Sequence, residues 1–377
     1  MDFDFTDDQN SLRDAVTRWV EKGFGFERRH ALAKAGGRTR EVMSELADLG
    51  LAGLCVPEAH GGMGMGAVEA MVVMEELGRG LVNAPYAAAA LVAPTLLRDA
   101  PDEVQADWLP RMASGEALVM PALQERTARY RLAHVTTRAR QDGARWLIDG
   151  HKSVVPAADE ADAYIVPARL AGAAGDESGI GLFLVERATS GLTVRPYPTQ
   201  DGGRAGEVLL TAAAAALLTA DGFQLLEQAA DIGIAAACAE GVGLMDRYTA
   251  ITVEYMNTRM QFGVPIATFQ ALRHRIADVK MQLELGRSMS YYATLKLGEP
   301  RAARRRALSQ AKVQLGHSMR YVGQQCTQLH GGIGVTDEYI GSHYFKRLTM
   351  LEMAWGDTMH HLGEVSARMQ DTAGVFA

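Results

Sequence analysis

The sequence of 377 residues has few cysteines, no long apolar run and no excess of positive charge. Its formal net charge of −7 argues against nucleic acid as a partner, because nucleic-acid binders gain affinity by neutralising phosphates. No run of about 18 apolar residues is present, so we predict neither a transmembrane span nor a membrane partner. The acidic N-terminal stretch lacks the basic and apolar regions of a signal peptide, which predicts a cytoplasmic location.

Metal-ligating residues are also sparse. The three cysteines, Cys55, Cys238 and Cys326, lie in apolar surroundings, and we interpret them as reduced residues that fill the core. No group of histidines and cysteines has the spacing of a metal site. His360 and His361 are direct neighbours, which do not share a helix face, so we predict no metal centre.

The composition is globular, with 48% hydrophobic and 22% charged residues. Its length exceeds one ordinary core, so two or three lobes are expected. Helical periodicity fills residues 1–116, short strand-like runs with turn clusters fill residues 117–219, and long helical patterns fill residues 220–377. The predicted fold is mainly α with a central β domain: an N-terminal helical domain, a small antiparallel β domain and a C-terminal four-helix bundle.

Local signals predict where several elements begin and end. Thr6 and Gln9 form a candidate capping box. Pro110 is expected to close a short helix, and Asp149-Gly150 is expected to form a turn between two strands. The first long helix of the bundle is expected to end near Phe262, and the second to run from about Thr268 to Leu297. The third is expected to run from about Arg301 to Leu329, and the fourth to occupy most of Tyr344 to Met369.

Four further stretches stand out. Gly53 to Gly64 predicts an extended segment and a Gly-rich loop, which lacks the Gly-Lys-Ser/Thr ending of a P-loop. Ala87 to Leu97 is apolar almost all round, which indicates a buried helix. The basic cluster at 301–306 is expected to be a solvated helix start, with a contact to a coenzyme A phosphate as the alternative. The alanine tract at 212–216 is the only candidate linker of low complexity.

The most informative stretch joins the first two bundle helices. Gly263 permits positive φ and Pro265 lacks the N–H that a helix interior needs, so the chain must turn there. Arg259 stands at the end of the first helix, where a fixed guanidinium is a good partner for a phosphate. Gln270 offers an amide donor and acceptor on the other side. A helical hairpin with a surface arginine remains open as the structural alternative.

Two segments together resemble the acyl-CoA dehydrogenase family. The stretch with Arg259, Gln261-Phe262-Gly263, Pro265-Ile266 and Phe269-Gln270 is similar to the family's flavin-contacting corner. The stretch Gln328-Leu329-His330-Gly331-Gly332-Ile333-Gly334 resembles the family's Gln-x-x-Gly-Gly-x-Gly turn. The resemblance implies FAD as cofactor, an acyl-CoA substrate and a role in fatty acid metabolism. The implied cofactor-binding residues are Arg259, Gln261, Phe262, Phe269, Gln270, Gln328, Leu329, His330, Gly331 and Gly332.

The family's chemistry needs a base that this sequence does not place where expected. A carboxylate removes the α-proton of the thioester while the flavin accepts the β-hydride. The family's usual Glu position falls on Gly356 or, by an ungapped count, on Trp355; its second known position falls on Gly233. Glu352 is a weak substitute because it stands one helical turn before Gly356. Asp357 and Glu240 are interpreted as structural or surface carboxylates.

A second loss affects the segments that contact the flavin ring in relatives. The family's Thr-Glu-Pro-x-x-Gly-Ser-Asp segment is replaced by residues 124–131, which contain no Gly-Ser-Asp. The Trp-Ile-Thr that covers the flavin is replaced by Val154-Val155-Pro156, and Pro156 has no N–H to donate.

These losses imply an assembly. In the family, the β domain and base of one subunit meet the corner and turn of its neighbour at each flavin. This chain keeps the corner and turn that it would contribute to a neighbour's flavin, and it lacks the β-domain segment and base that its own flavin would need. This pattern resembles the small subunit of heteromeric, pimeloyl-CoA type acyl-CoA dehydrogenases. The resemblance implies a larger partner subunit, a dicarboxylic acyl-CoA and an electron-transfer flavoprotein as acceptor. A homo-oligomer with base-free, desulfinase-like chemistry and an architectural subunit without its own flavin remain open.

Overall fold

The computed structural model describes residues 4–369, which form two compact units. One unit takes the described residues up to His30, Ala67–Val82 and those from Ile234 onwards; the other takes Ala31–Gly66 and Asn83–Gly233. Helices come first, strands follow and long helices end the chain, so the predicted fold class is confirmed. The domain limits at 116/117 and 219/220 stay a prediction.

The first unit is helical. Helices are numbered in chain order, and those that contribute to this unit wholly or in part are α1 (Asp7–Gly23), α2 (Phe26–Lys34), α4 (Ala67–Arg79), α7 (Phe223–Thr258), α8 (Gln270–Lys296), α9 (Arg301–His330), α10 (Ile340–Met353) and α11 (Thr358–Ala367). The predicted capping box of α1 is confirmed: Thr6 Oγ1 accepts from Gln9 N at 3.2 Å, and Gln9 Oε1 accepts from Thr6 N at 3.0 Å.

The core of this unit lies between α7, α8, α9 and α10. Tyr248, Leu283, Leu315 and Tyr344 are among its buried residues. Helices α4 and α7 approach backbone to backbone, because a Cβ at Gly243 would lie 1.9 Å from the carbonyl oxygen of Glu75. This close approach explains why glycine interrupts an otherwise apolar helix.

The fourth bundle helix differs from the prediction, which was wrong to make it continuous. It is split into α10 and α11 at Trp355 and Gly356, whose φ angles are +60° and +109°. Positive φ is incompatible with a right-handed helix, and Asp357 then caps α11 by accepting a hydrogen bond from His360 N at 2.7 Å. The predicted base position therefore lies in a turn.

The second unit contains a seven-stranded sheet and several short helices. Its strands are β1 (Val119–Pro121), β2 (Arg138–Asp142), β3 (Arg145–Pro156), β4 (Ala163–Arg169), β5 (Ile180–Glu186), β6 (Leu192–Pro198) and β7 (Arg204–Thr219). Most pairs are antiparallel, as predicted, but β1 and β2 pair with β4 in parallel. The helices are α3 (Arg40–Asp48), α5 (Ala93–Leu97) and α6 (Asp102–Ala113).

Two predictions in this sheet were wrong. Asp149-Gly150 is not a turn: β3 continues through it, and the pairing with β7 shifts register between Ile148 and Gly150. Asp149 Oδ1 accepts from Ala212 N at 2.7 Å, so its side chain replaces a ladder bond at this irregularity. The alanine tract at 212–216 is not a linker but part of β7.

Of the other local predictions, one is confirmed and three are wrong. Residues 87–97 are a mostly buried π-helical and α-helical segment, so that prediction is confirmed. Pro110 does not close α6, which continues to Ala113. Leu51–Gly53 and Glu58–His60 are 3₁₀ turns rather than an extended segment. Arg304 and Arg305 are buried, so the start of α9 is not fully solvated.

Candidate functional site

The stretch after α7 is a miniature hairpin rather than a simple helical corner. Strands β8 (Met260–Gln261) and β9 (Val264–Pro265) pair around Phe262 and Gly263, whose φ angles are +53° and +81°. Positive φ at both central residues is the geometry of a type I′ turn. Gly263 takes it at no steric cost, but a bulky residue such as Phe262 is strained there.

The hairpin presents its side chains outward. Phe262 is 92% exposed, and its ring meets Phe269 edge to face at a centroid distance of 6.0 Å. Arg259, Gln261 and Gln270 are exposed as well. Arg259 is held through its backbone, because Ile266 N donates to the Arg259 carbonyl at 2.9 Å while the guanidinium stays at the surface.

The second predicted segment lies at the end of α9. Gln328 is exposed, whereas Leu329 and His330 are buried. Gly331 has a φ of +65° and starts a 3₁₀ turn that runs to Val335. A Cβ at Gly331 or Gly332 would meet no atom within 4 Å, so the backbone there is open to close approach from outside.

The structure brings the two segments together at one end of the helical unit. Met256 of α7, Ile266 after the hairpin and Leu329 of α9 form one buried cluster. The rings of Tyr255 and His330 lie 4.7 Å apart beside it. Of the ten predicted cofactor-binding residues, Leu329 and His330 face this interior, and the other eight are exposed around it.

His330 therefore supports the turn from within. Its Nδ1 lies 2.8 Å from the Cys326 carbonyl and must donate, so its Nε2 accepts from the Tyr339 hydroxyl at 2.8 Å. Burial lowers the pKa of His330, which keeps the imidazole neutral. The exposed residues around it, led by the Arg259 guanidinium and the open Gly331-Gly332 backbone, fit an anionic, planar group that approaches from outside.

The predicted base position has no room for a side chain. A Cβ at Gly356 would lie 2.6 Å from His361 Nε2 and 2.7 Å from His360 Cδ2. His361 is fully buried, its Nε2 lies 3.0 Å from the Trp355 carbonyl, and burial lowers its pKa to about 3. The histidine doublet thus fills the space beside the turn in its neutral form.

The carboxylates near these positions are all engaged. Glu352 Oε1 accepts from Thr358 N at 3.0 Å and from Thr358 Oγ1 at 2.6 Å, and its side chain is buried. It does not share a helix face with Gly356, because α10 ends at Met353. Glu240 pairs with Arg347 Nε at 2.6 Å. Gly233, the second base position, is buried within α7.

The segment predicted to replace the family's flavin-ring contacts is anchored in the second unit. Glu125 accepts from Lys152 Nζ at 2.7 Å, from Thr136 N at 2.7 Å and from Thr137 N at 3.0 Å, and both charged side chains are buried. The ammonium of Lys152 and these donors hold the pKa of Glu125 at about 2 against its burial. Val154 is 47% exposed with a φ of +56°, so it is a strained bulge.

Lys312 is not among the residues predicted from the sequence. Its ammonium is fully buried and donates to the carbonyls of Glu352 at 2.6 Å and Gly356 at 2.9 Å, which ties both ends of the turn between α10 and α11. Burial lowers its pKa to about 8. Its partners are backbone carbonyls, which leave no signal in a sequence.

Three sequence profiles of acyl-CoA dehydrogenases match nearly the whole chain. The N-terminal domain profile matches residues 6–116, the middle domain profile matches residues 121–211 and the C-terminal domain profile matches residues 220–370. The chain belongs to the acyl-CoA dehydrogenase family, whose members bind FAD. Within residues 4–369, no helix is both long enough and apolar enough to cross a membrane.

Individual relatives agree over the full length. The chain is 28% identical to the "Probable acyl-CoA dehydrogenase YngJ" of Bacillus subtilis (strain 168), over 94% of this chain and 96% of that protein. It is similar to a chain of the ChsE4-ChsE5 complex from Mycobacterium tuberculosis, with a TM-score of 0.88, 26% identity and coverage of 99% and 100%. A Tcur3481-Tcur3483 steroid enzyme variant gives a TM-score of 0.87, 28% identity and coverage of 97% and 99%.

Proposed function

We propose that this chain is a subunit of an FAD-dependent acyl-CoA dehydrogenase that completes a flavin site together with a longer partner chain. One contrast carries the proposal. The Arg259 hairpin and the Gly331-Gly332 turn are exposed and pre-organised, whereas both expected base positions, Gly356 and Gly233, are glycines. A self-sufficient site needs both the flavin-contacting segments and a base.

The reaction is the α,β-dehydrogenation of an acyl-CoA thioester. FAD, when bound, supplies the acceptor for the β-hydride. A carboxylate held at the α-carbon must remove the α-proton. Glu352 and Glu240 accept hydrogen bonds from Thr358 and Arg347 within this chain, and neither stands at a base position of the family. We therefore assign the base to the partner.

In this proposal, the residues of this chain bind and orient the cofactor. The guanidinium of Arg259 offers a planar pair of donors to a pyrophosphate. The exposed amides of Gln270 and Gln328 can each donate and accept hydrogen bonds. The absence of side chains at Gly331 and Gly332 allows a ring system to lie against the backbone.

Two of the similar solved structures support a two-chain assembly. One is a complex of ChsE4 with ChsE5, and the other is the Tcur3481-Tcur3483 steroid enzyme variant. We extend to this chain a heteromeric arrangement of the pimeloyl-CoA type, an acyl-CoA of dicarboxylic type and an electron-transfer flavoprotein as the acceptor of electrons.

Two other functions have specific support. The neutral, filled surroundings of Gly356 favour a homo-oligomer whose reaction needs no base. Residues 124–131, which stand where the family has its flavin-ring segment, favour an architectural subunit that holds no flavin of its own. Both alternatives keep the family fold and differ in flavin content.

The experiment has two parts. The chain is purified alone, and an affinity-tagged copy is purified from the native host together with whatever binds it. We expect the isolated chain to be colourless and inactive with saturated acyl-CoAs, and the tagged chain to co-purify with a longer relative in a yellow, active complex. Yellow protein without a partner would support the base-free homo-oligomer. Turnover of saturated acyl-CoAs by the isolated chain at ordinary dehydrogenase rates would refute the proposal.

A further inference from the structure

The turn at Gly331–Val335 has little packing of its own on the outside. Gly331, Gly332 and Ile333 are exposed, and the space beside both glycines is open. A turn that must meet a cofactor within a fraction of an ångström needs support from its two ends. This inference rests on the proposed function and asks what supplies that support.

The end nearest α9 is held by aromatic packing. His330 lies between the rings of Tyr255 at 4.7 Å, Tyr339 at 5.0 Å and Tyr248 at 5.9 Å between centroids. Its two ring nitrogens are bonded to the Cys326 carbonyl and the Tyr339 hydroxyl. This end is therefore fixed by buried contacts.

The other end is held by a single carboxylate. Asp337 Oδ2 lies 2.9 Å from His30 Nε2 of α2, and Asp337 Oδ1 lies 3.1 Å from Lys346 Nζ of α10. The Asp337 carbonyl accepts from His343 Nε2 at 2.8 Å. The hydrogen bonds from His30 and Lys346 lower the pKa of the Asp337 carboxyl to about 2. Its two oxygens thus connect the turn to two helices.

The same three side chains could be read as a metal site, because ligand atoms of His30, Asp337 and His343 lie within 4.8 Å of one another. The hydrogen bonds argue against it. Arg29 contacts His343 Nδ1, and arginine can only donate, so Nδ1 is the acceptor and Nε2 carries the proton. A ligating histidine needs one ring nitrogen without a proton that faces the ion, and in His343 Nδ1 faces Arg29 while the protonated Nε2 donates to the Asp337 carbonyl.

We infer that Asp337 is a positioning residue, which ties the turn after α9 to α2 and α10 and thereby sets where Gly331 and Gly332 meet the flavin. His330 fixes the near end of the turn and Asp337 fixes the far end. The carboxylate itself need not touch the cofactor. Its loss should therefore loosen the turn without unfolding the helical unit.

The test compares Asp337→Asn with Glu338→Gln. Asn keeps the size and the backbone carbonyl of Asp337 but removes the charge that binds His30 and Lys346. Glu338 is the exposed neighbouring carboxylate, so it controls for the change in net charge. Both variants are made in whichever assembly retains FAD in the wild type, alone or with the partner.

We expect Asp337→Asn to accelerate hydrogen exchange of the amides between Gly331 and Thr336 and to weaken FAD binding roughly two- to thirtyfold, the range for residues that act through a neighbour. Glu338→Gln should change neither, and a chelator should have no effect on the wild type. Unchanged exchange and unchanged FAD affinity in Asp337→Asn would overturn the inference. Loss of FAD on chelation would replace it with a metal site. A wild-type assembly without any FAD would instead refute the proposed function.

Discussion

Arg259 has an exposed guanidinium at the surface of a backbone-anchored hairpin, so its role can be tested separately from stability. A charge-assisted hydrogen bond contributes roughly 1.5–3 kcal/mol, so Arg259→Ala should weaken FAD retention by about tenfold or more in the assembled protein. Arg259→Lys should recover only part, because lysine lacks the planar pair of donors. Flavin absorption after gel filtration measures retention.

The control for Arg259 is Arg275→Ala, which removes an exposed arginine from the first half of α8. It should leave flavin content and melting temperature unchanged, since an exposed arginine contributes little to stability. If Arg259→Ala lowers the melting temperature and leaves flavin content intact, Arg259 has only a structural role.

At the residue scale, the sequence predicts those backbone turns that glycine and proline require. Gly263 and Pro265 were enough to place a turn, and the structure has one there. The left-handed conformation of Phe262 could not be predicted, because a bulky residue normally avoids it. His330 is predicted as a cofactor contact because it belongs to a motif, which stays a prediction, and its burial among three tyrosine rings has no signal in the sequence.

At the scale of elements, the β8–β9 hairpin combines strain with exposure. Type I′ turns favour Asn-Gly, so Phe262→Asn should relieve the left-handed strain and stabilise the isolated chain by about 1 kcal/mol. The same change removes a ring that is 92% exposed and should weaken assembly with a partner. Denaturant unfolding of the isolated chain and sedimentation of the complex measure the two effects.

Met359→Asn is the matched control for the hairpin. It removes an apolar side chain that is 73% exposed on α11, at a position without positive φ. It should leave hairpin strain unchanged and therefore give no stabilisation. If Phe262→Asn fails to stabilise the chain, the hairpin is not strained in the way its φ angles indicate.

The turn between α10 and α11 predicts a pH dependence. Burial lowers the pKa of Lys312 to about 8 from an ordinary value of 10.5. Between these values the unfolded chain still binds a proton that the native state has lost, so the free energy of unfolding should rise with pH, by about 1–3 kcal/mol from this group. Urea unfolding between pH 7 and pH 10 measures this slope.

Lys312→Met should remove that contribution to the slope, because methionine does not titrate. Lys280→Met, which removes an exposed lysine paired with Glu284, should keep the wild-type slope. Equal slopes for the wild type and Lys312→Met would show that Lys312 is not the titrating group.

At the scale of elements, the helices of the bundle could be predicted from their period, but the break in the fourth could not. Its apolar pattern continues through Trp355, and Gly356 was read as a substituted base rather than as a stop. Asp149 gives a similar lesson in β3, where its carboxylate accepts a hydrogen bond from Ala212 N and the strand continues through a turn signal.

At the scale of the whole molecule, the fold class was predictable because composition changes with the elements, and the family because its motifs occur in order. The proposed partner subunit stays a prediction, because the residues that would specify it lie on another chain. We expect the chain to form a dimer or a dimer of dimers, with Gln270, Gln328 and the Gly331-Gly332 turn near a subunit boundary. Light scattering at micromolar concentration that shows a monomer, with and without the longer relative, would contradict this.

The exposed ring of Phe262 has a consequence for the life of the protein in a cell. An aromatic side chain that is 92% exposed on a strained turn resembles the surface that chaperones and proteases recognise in unfinished proteins. If assembly covers it, unassembled copies are removed and assembled copies persist. The stoichiometry of the complex would then be set by degradation of the excess subunit rather than by matched synthesis.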